Sequence, residues 1–208
     1  MFAPGAVRWI VPPFALAAVV AALLLAHVLP FGAAGAAVVV LLVGLGGFFG
    51  VFFRDPERAA APGIVSPADG RVRAVERADG RLQISVFMNV TDVHVNRAPL
   101  DGTLESTEEA GAGFRAAFRP DADRNVRRHY RLRTELGPVE VVQITGLVAR
   151  RIVPFVRAGA TLRKGDRFGM IVLGSRVDLW LPADLVRPVV AVGDRVHAGS
   201  TTVAERLG

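Results

Sequence analysis

Residues 168–182 read FGMIVLGSRVDLWLP, and the fold turns on them. An apolar run, Met170 to Leu173, leads into Gly174-Ser175. An alternating run leads out, with Val177, Leu179 and Leu181 apolar and Asp178 and Trp180 between them. Short apolar runs and period-two alternation are strand signals, so the stretch predicts two β-strands meeting at a small pair. Glycine inside a strand marks a bulge or tight bend, and that is one reading of Gly174. The other is chemical. Glycine has no side chain to shield its carbonyl, and a serine hydroxyl that follows it can attack that carbonyl once a base takes its proton. Two residues alone do not choose between these readings.

The flanks extend the β pattern. Residues 64–70, IVSPADG, predict a short strand and a turn, and 72–76 and 82–88 alternate around the hairpin signal Asp79-Gly80. Residues 89–99, NVTDVHVNRAP, form a polar loop or irregular strand; 103–110 reads as a short strand, 139–144 as a strand, and 145–152 as a turn or short helix. Residues 114–133 hold seven Arg, and this charge run predicts an exposed, solvated surface that includes His129 and Tyr130. Gly165-Asp166 and Gly193-Asp194 head two similar segments, a weak repeat of the kind that builds biotinyl- and lipoyl-carrier β-sandwiches. Between the halves lies Pro182-Ala183-Asp184, with no Lys to carry a cofactor. The expected fold is mainly β, sandwich- or barrel-like, behind an N-terminal hydrophobic helical anchor.

That anchor is residues 1–53. One apolar run spans 14–29, broken by His27, and a second, uncharged and Gly-rich, spans 31–53. At 1.5 Å per residue the second reaches roughly 34 Å and the first only about 24 Å, against a hydrocarbon core of about 30 Å. Pro30-Phe31-Gly32 marks a turn between them, giving a hairpin or a shallow re-entrant anchor. Arg8 at one flank and Arg54 and Arg58 at the other place both ends of a hairpin in the cytoplasm. Residues 54–63 read as a linker and 64–208 as the β-rich domain.

Composition narrows the chemistry. There is no Cys, which excludes disulfides, thiol nucleophiles and Cys-based zinc sites. The four His are too scattered for a metal site, and none is expected. The net charge of +6 points to an anionic partner. Beside an apolar anchor, anionic lipid fits better than nucleic acid, since the Arg-rich run has few aromatics for stacking. Lys164 is the only Lys and sits in a turn-like segment, a poor place to anchor pyridoxal. Amine–carbonyl chemistry would need its carbonyl from elsewhere. Ser175, His94 and Asp69 suggest a membrane-tethered serine hydrolase, although Ser175 lacks the Gly-x-Ser-x-Gly elbow. A non-catalytic, membrane-anchored carrier-like binding module is a third class.

Taken together, Ser66-Pro67-Ala68-Asp69-Gly70, the segment 92–99 (DVHVNRAP), Gln143-Ile144-Thr145-Gly146 with 149–152 (ARRI), and 168–178 resemble the phosphatidylserine decarboxylase proenzymes in their short membrane-associated form. The resemblance implies self-cleavage between Gly174 and Ser175 into a β chain, 1–174, and an α chain, 175–208, which stay together as a heterodimer; a higher homo-oligomer is compatible with it. It implies that Ser175 becomes a covalent pyruvoyl group that forms a Schiff base with the serine amine of an anionic phospholipid. It further implies His94 as proton donor, Asp69 as an aid to self-cleavage, phosphatidylethanolamine and carbon dioxide as products, and a place at the cell membrane facing the cytoplasm. Larger members carry a second His three residues after the first; here that position is Arg97. Arg cannot act as a base at neutral pH. Arg97, Arg150 and Arg151 are instead candidates for gripping a carboxylate or phosphate.

Overall fold

The computed structural model describes residues 1–26, 32–113, 124–146, 151–172 and 175–207. It divides into two units, Met1–Pro56 and Glu57–Gly208. In the first, α1 (Val7–Leu25) and α2 (Gly32–Phe52) form an antiparallel hairpin. Two glycines set the contact. A Cβ on Gly35 would meet Leu24 at 2.5 Å and one on Gly46 would meet Phe14 at 2.7 Å, so both positions make room for α1 side chains. Ala3 N–H donates to Phe53 O at 2.8 Å and Asp55 N–H to Met1 O at 2.9 Å, which brings the outer ends together. α1 starts before residue 14 and runs through Pro12 and Pro13, so its 19 residues reach roughly 28 Å, more than the apolar run alone implies. Both helices are long and apolar enough to cross a membrane, with mean hydropathy 2.0 and 2.4. His27 and the Pro30-Phe31 part of the turn lie outside the described residues.

The second unit is built of strands: β1 (Ile64–Val65), β2 (Gly70–Ala78), β3 (Arg81–Met88), β4 (Val95–Arg97), β5 (Gly102–Ala110), β6 (Arg127–Thr134), β7 (Gly137–Thr145), β8 (Arg151–Pro154), β9 (Thr161–Leu162), β10 (Arg167–Val172), β11 (Ser175–Pro182), β12 (Val186–Pro188), β13 (Arg195–Val196) and β14 (Thr202–Arg206). Eight of them form one sheet in the order β13-β2-β3-β11-β7-β6-β5-β9; two three-stranded sheets, β1-β14-β12 and β4-β10-β8, complete the described strands. The protein is mainly β with two apolar helices before it. The β2–β3 hairpin turns at Asp79 and Gly80, with φ of 52° and 71°, the paired positive values a two-residue type I′ turn requires.

β11 lies between β3 and β7, antiparallel to both. Its alternation sets the core face. Leu181 stands opposite Leu82; Leu179 opposite Ile84 and Val141; Val177 opposite Val86 and Gln143; Ser175 opposite Met88 and Thr145. Every one of these side chains is buried. The apolar ones stabilise the sheet by about 1.5–3 kcal/mol each when fully buried. Along β11 the core face therefore changes from apolar at Leu181 to polar at Ser175.

The Arg-rich run departs from expectation. Residues 114–123 lie outside the described set, but 127–134 are the strand β6, inside the large sheet. Tyr130 is not exposed: it is 1% accessible and packs edge-on against Phe168, ring centroids 4.8 Å apart. Period two explains it, because Tyr130 and Leu132 face the core while Arg131 and Arg133 face out. Of the turn or helix expected at 145–152, residues 147–150 are outside the described set and 151–154 are β8. The turns at Asp166 and Asp194 are bonded in the same way. Asp166 Oδ2 accepts from Arg163 N–H and Asp194 Oδ2 from Ala191 N–H, each at 2.8 Å, with Gly165 and Gly193 at φ 89° and 100°.

Candidate active site

Ser175 opens β11 and is fully buried. Its hydroxyl donates to the Met88 sulfur at 3.4 Å. Met88 also receives Asn96 Nδ2–H at 3.7 Å. Asn96 Oδ1 accepts from Gln143 Nε2 at 2.6 Å, and Gln143 Oε1 accepts from the Tyr130 hydroxyl at 2.7 Å. Burial pushes the Tyr130 phenol well above its usual pKa, so it stays a donor at any working pH. Gly169 fits this row closely, because a Cβ there would lie 3.1 Å from the Tyr130 oxygen and 3.2 Å from Gln143 Nε2. Gly174 and Leu173 lie outside the described residues.

His94 is buried and directly precedes β4. β4 pairs with β10, Val95 opposite Met170, and Ile171 N–H points to His94 O at 3.4 Å. β10 then ends at Val172, shortly before Ser175. His94 Nδ1 lies 2.9 Å from the Asp92 carbonyl. A carbonyl only accepts, so Nδ1 carries hydrogen and Nε2 is the basic nitrogen of the neutral ring. The Asp92 carboxylate is held in turn by Asn89 N–H at 2.8 Å and Arg195 at 2.9 Å.

Asp69 is bonded elsewhere. Arg58 grips both of its oxygens, one at 2.9 Å; Ala198 N–H donates at 2.8 Å, and His197 Nδ1 stands 3.4 Å away. Burial alone would raise the Asp69 pKa, but the Arg58 hydrogen bonds and charge, with Ala198 N–H and His197, outweigh it and hold the carboxyl below its ordinary range. A hydrolase triad would place Asp69 on His94 Nδ1. Asp92 O occupies that position, so this geometry does not build the serine-hydrolase alternative.

Arg97 is buried and donates to Gly165 O at 3.0 Å, with its Cδ against Gly199. Arg151 is exposed at the start of β8, opposite Val172, and Arg150 lies outside the described residues. Lys164, expected in a turn, is there, bonding Gly63 O and, through its N–H, Asp101. Two cavities, about 580 Å³ beside Pro182 and Leu185 and about 210 Å³ beside Ile64 and Lys164, have neither Ser175 nor His94 in their walls. Among the described residues no cluster of His, Asp and Glu suits a metal ion.

Sequence reasoning did not single out Met88, Tyr130 or Arg195 for this site. A signal for Gln143 was present: it follows Val139 and Val141 at period two, a polar residue at a core position.

Comparison with known proteins gives a consistent result. The family model described as phosphatidylserine decarboxylase matches residues 45–204. A phosphatidylserine decarboxylase proenzyme of Streptomyces avermitilis is 44% identical over 203 residues, covering 97% of this chain and 92% of the relative. A proenzyme of the same name from Thermobifida fusca is 46% identical over 167 residues, covering 79% and 76%. One from Paraburkholderia phymatum is 43% identical over 204 residues, covering 93% of each.

Proposed function

Because the chain belongs to the phosphatidylserine decarboxylase family, a family of carboxy-lyases, we propose that it is a self-processing enzyme that converts phosphatidylserine to phosphatidylethanolamine and carbon dioxide. The observation that carries this reading is the place of Ser175. It is a buried serine at the first position of a central strand, directly after glycine, with its hydroxyl held by a thioether. That suits a group whose task is to attack the preceding carbonyl. The only Lys is half-buried in a turn and tied to Gly63 and Asp101, so the chain's own amine does not serve as a cofactor anchor.

The self-cleavage balances as follows. Ser175 Oγ adds to the Gly174 carbonyl carbon, its proton passing to a base. The Gly174–Ser175 C–N bond breaks, the amine takes a proton, and an ester remains. Loss of the Ser175 Cα proton expels the Gly174 carboxylate and leaves dehydroalanine. Tautomerisation to the imine and attack of one water release ammonia and leave a ketone at the head of residues 175–208. The buried serine and its core-facing strand position fit that group. When formed, this pyruvoyl group supplies the carbonyl that takes up the substrate amine and the electron sink for decarboxylation.

The chain's other residues bind, exclude water and move protons. His94, with Nδ1 fixed on Asp92 O, offers Nε2 as the proton-transfer atom. Buried Asn96 and Met88 keep water from Ser175. Asp69 remains our candidate aid to cleavage, acting through the 197–199 turn it holds rather than by contact with His94. Arg97, Arg150 and Arg151 are proposed to bind the anionic headgroup, Arg151 from the exposed end of β8. The two apolar helices, with Leu41, Val40 and Val19 exposed, support attachment to the cell membrane. A cytoplasmic orientation follows from the positive flanks.

Intact mass measurement of the purified full chain in detergent tests this. The expected result is two chains, 1–174 and 175–208, the second starting with a pyruvoyl group, while Ser175→Ala stays whole. Active protein recovered only as the uncut chain overturns the reading.

A further inference from the structure

Beyond excluding water and receiving the Ser175 hydroxyl, the hydrogen-bonded row that ends on Met88 has no part in the chemistry described so far. It crosses three strands: Tyr130 from β6, Gln143 from β7 and Asn96 from β4. All three are at most 1% accessible, as is Met88. Buried amides and hydroxyls cost free energy unless bonded. Here each bond runs in one direction, Tyr130 O–H to Gln143 Oε1, Gln143 N–H to Asn96 Oδ1, and Asn96 N–H to Met88 Sδ. An apolar core at these positions would pack without that requirement. The row ends on the side chain that receives the Ser175 hydroxyl.

We propose that Tyr130, Gln143 and Asn96 are positioning residues for self-cleavage, fixing the Met88 thioether as the acceptor that aims the Ser175 hydroxyl. A thioether is a weak acceptor, so it orients the hydroxyl without holding its proton tightly. The base can then take that proton as Oγ turns to the Gly174 carbonyl. Met is otherwise a flexible side chain. The Asn96 contact supplies the missing constraint, and Asn96 is itself locked by Gln143 and Tyr130. Fully bonded networks of this kind rigidify a core. Gly169, whose lack of a Cβ lets β10 approach the Tyr130 oxygen, keeps the row tight.

The inference rests on the self-cleavage reading, and its test separates the two. The full chain is synthesised in detergent, and conversion to two chains is followed in time for wild type, Met88→Leu, Gln143→Leu and Gln143→Glu, with melting temperature measured on each. Met88→Leu conserves volume but has no acceptor. We expect Met88→Leu to melt within a few degrees of wild type, Gln143→Leu to melt lower because it leaves the buried Tyr130 hydroxyl and Asn96 Oδ1 unbonded, and both to cleave about tenfold or more slowly. Gln143→Glu should recover as pH falls, because its protonated carboxyl both accepts from Tyr130 and donates to Asn96. Arg128, opposite that position on β6, favours the carboxylate, while its partner Glu109 and the burial of the site favour the protonated form. Variants that cleave at the wild-type rate, or slow cleavage that follows melting temperature with no acid recovery in Gln143→Glu, overturn the proposal. A wild-type chain that never cleaves overturns the parent reading and this one with it.

Discussion

Arg195 Nη2 lies 2.9 Å from Asp92 Oδ1, and the two residues fall on opposite sides of the Gly174–Ser175 bond. Cutting that bond would leave this pair joining two chains. It would not be alone. β11 pairs with β3 and β7, β13 with β2 and β14 with β1, so residues 175–208 contribute strands to two sheets otherwise made from residues before 174. Ala198 N–H and His197 add their bonds to Asp69.

The cut protein is therefore expected to stay in one piece. Native mass spectrometry of the processed enzyme should show both chains together, and they should part only in denaturant. A small chain that leaves on gel filtration in mild detergent would contradict the central place of β11.

Arg195 also bears on His94. Asp92 accepts His94 Nδ1–H through its carbonyl and Arg195 through its carboxylate, so the pair steadies the loop that carries the imidazole. The Arg195 side chain is 57% exposed, and such pairs contribute about 0.2–1 kcal/mol. Arg195→Ala should thus lower kcat by at most about fivefold, the rate equivalent of the upper figure. High salt should reproduce part of the loss in wild type. A loss of a hundredfold would mean that Arg195 touches the substrate.

The strands of this fold were legible where period two was clean. Val177, Leu179 and Leu181 gave the face of β11, and Asp79-Gly80 its neighbouring hairpin. Tyr130 was hidden because arginines surround it, and charge is read before alternation in RRHYRLRT. The row behind Ser175 was hidden for another reason. Met88 and Ser175 are 87 residues apart, and only the sheet order, with β11 inserted between β3 and β7, puts them face to face. Asp69 and His94 were legible as candidates, but their partners Arg58 and Asp92 were not, because those bonds depend on how loops fold back.

Gly70 offers a sharp test of the backbone path into β2. Its φ is 143°, and a Cβ there would sit 2.0 Å from Phe87 O, inside the β2–β3 pairing. No side chain can give way, so the strand itself must move. Gly70→Ala should cost about 4 kcal/mol or more. Gly80→Ala is the control: its φ is 71° with nothing within 4 Å of the added carbon, and the left-handed penalty alone is about 1–2 kcal/mol. Thermal melts of the two variants in detergent should separate them clearly; equal melting temperatures would refute this path.

The Arg58–Asp69 pair makes a prediction in pH. The Asp69 carboxyl titrates below its ordinary value in the folded chain, so its contribution to stability is complete above the unfolded pKa of about 3.9 and is lost as pH falls toward the folded one. In Arg58→Met the same buried carboxylate keeps Ala198 N–H and the longer contact to His197 Nδ1 but loses its guanidinium, and burial then raises its pKa. At neutral pH that leaves a poorly compensated charge, a loss of about 3–5 kcal/mol for a buried pair. Acid relieves it by protonating Asp69. The gap in melting temperature between wild type and Arg58→Met should therefore be widest near pH 7 and narrow toward pH 4. A gap that stays constant across this range would show that Arg58 acts through packing and not through the charge on Asp69.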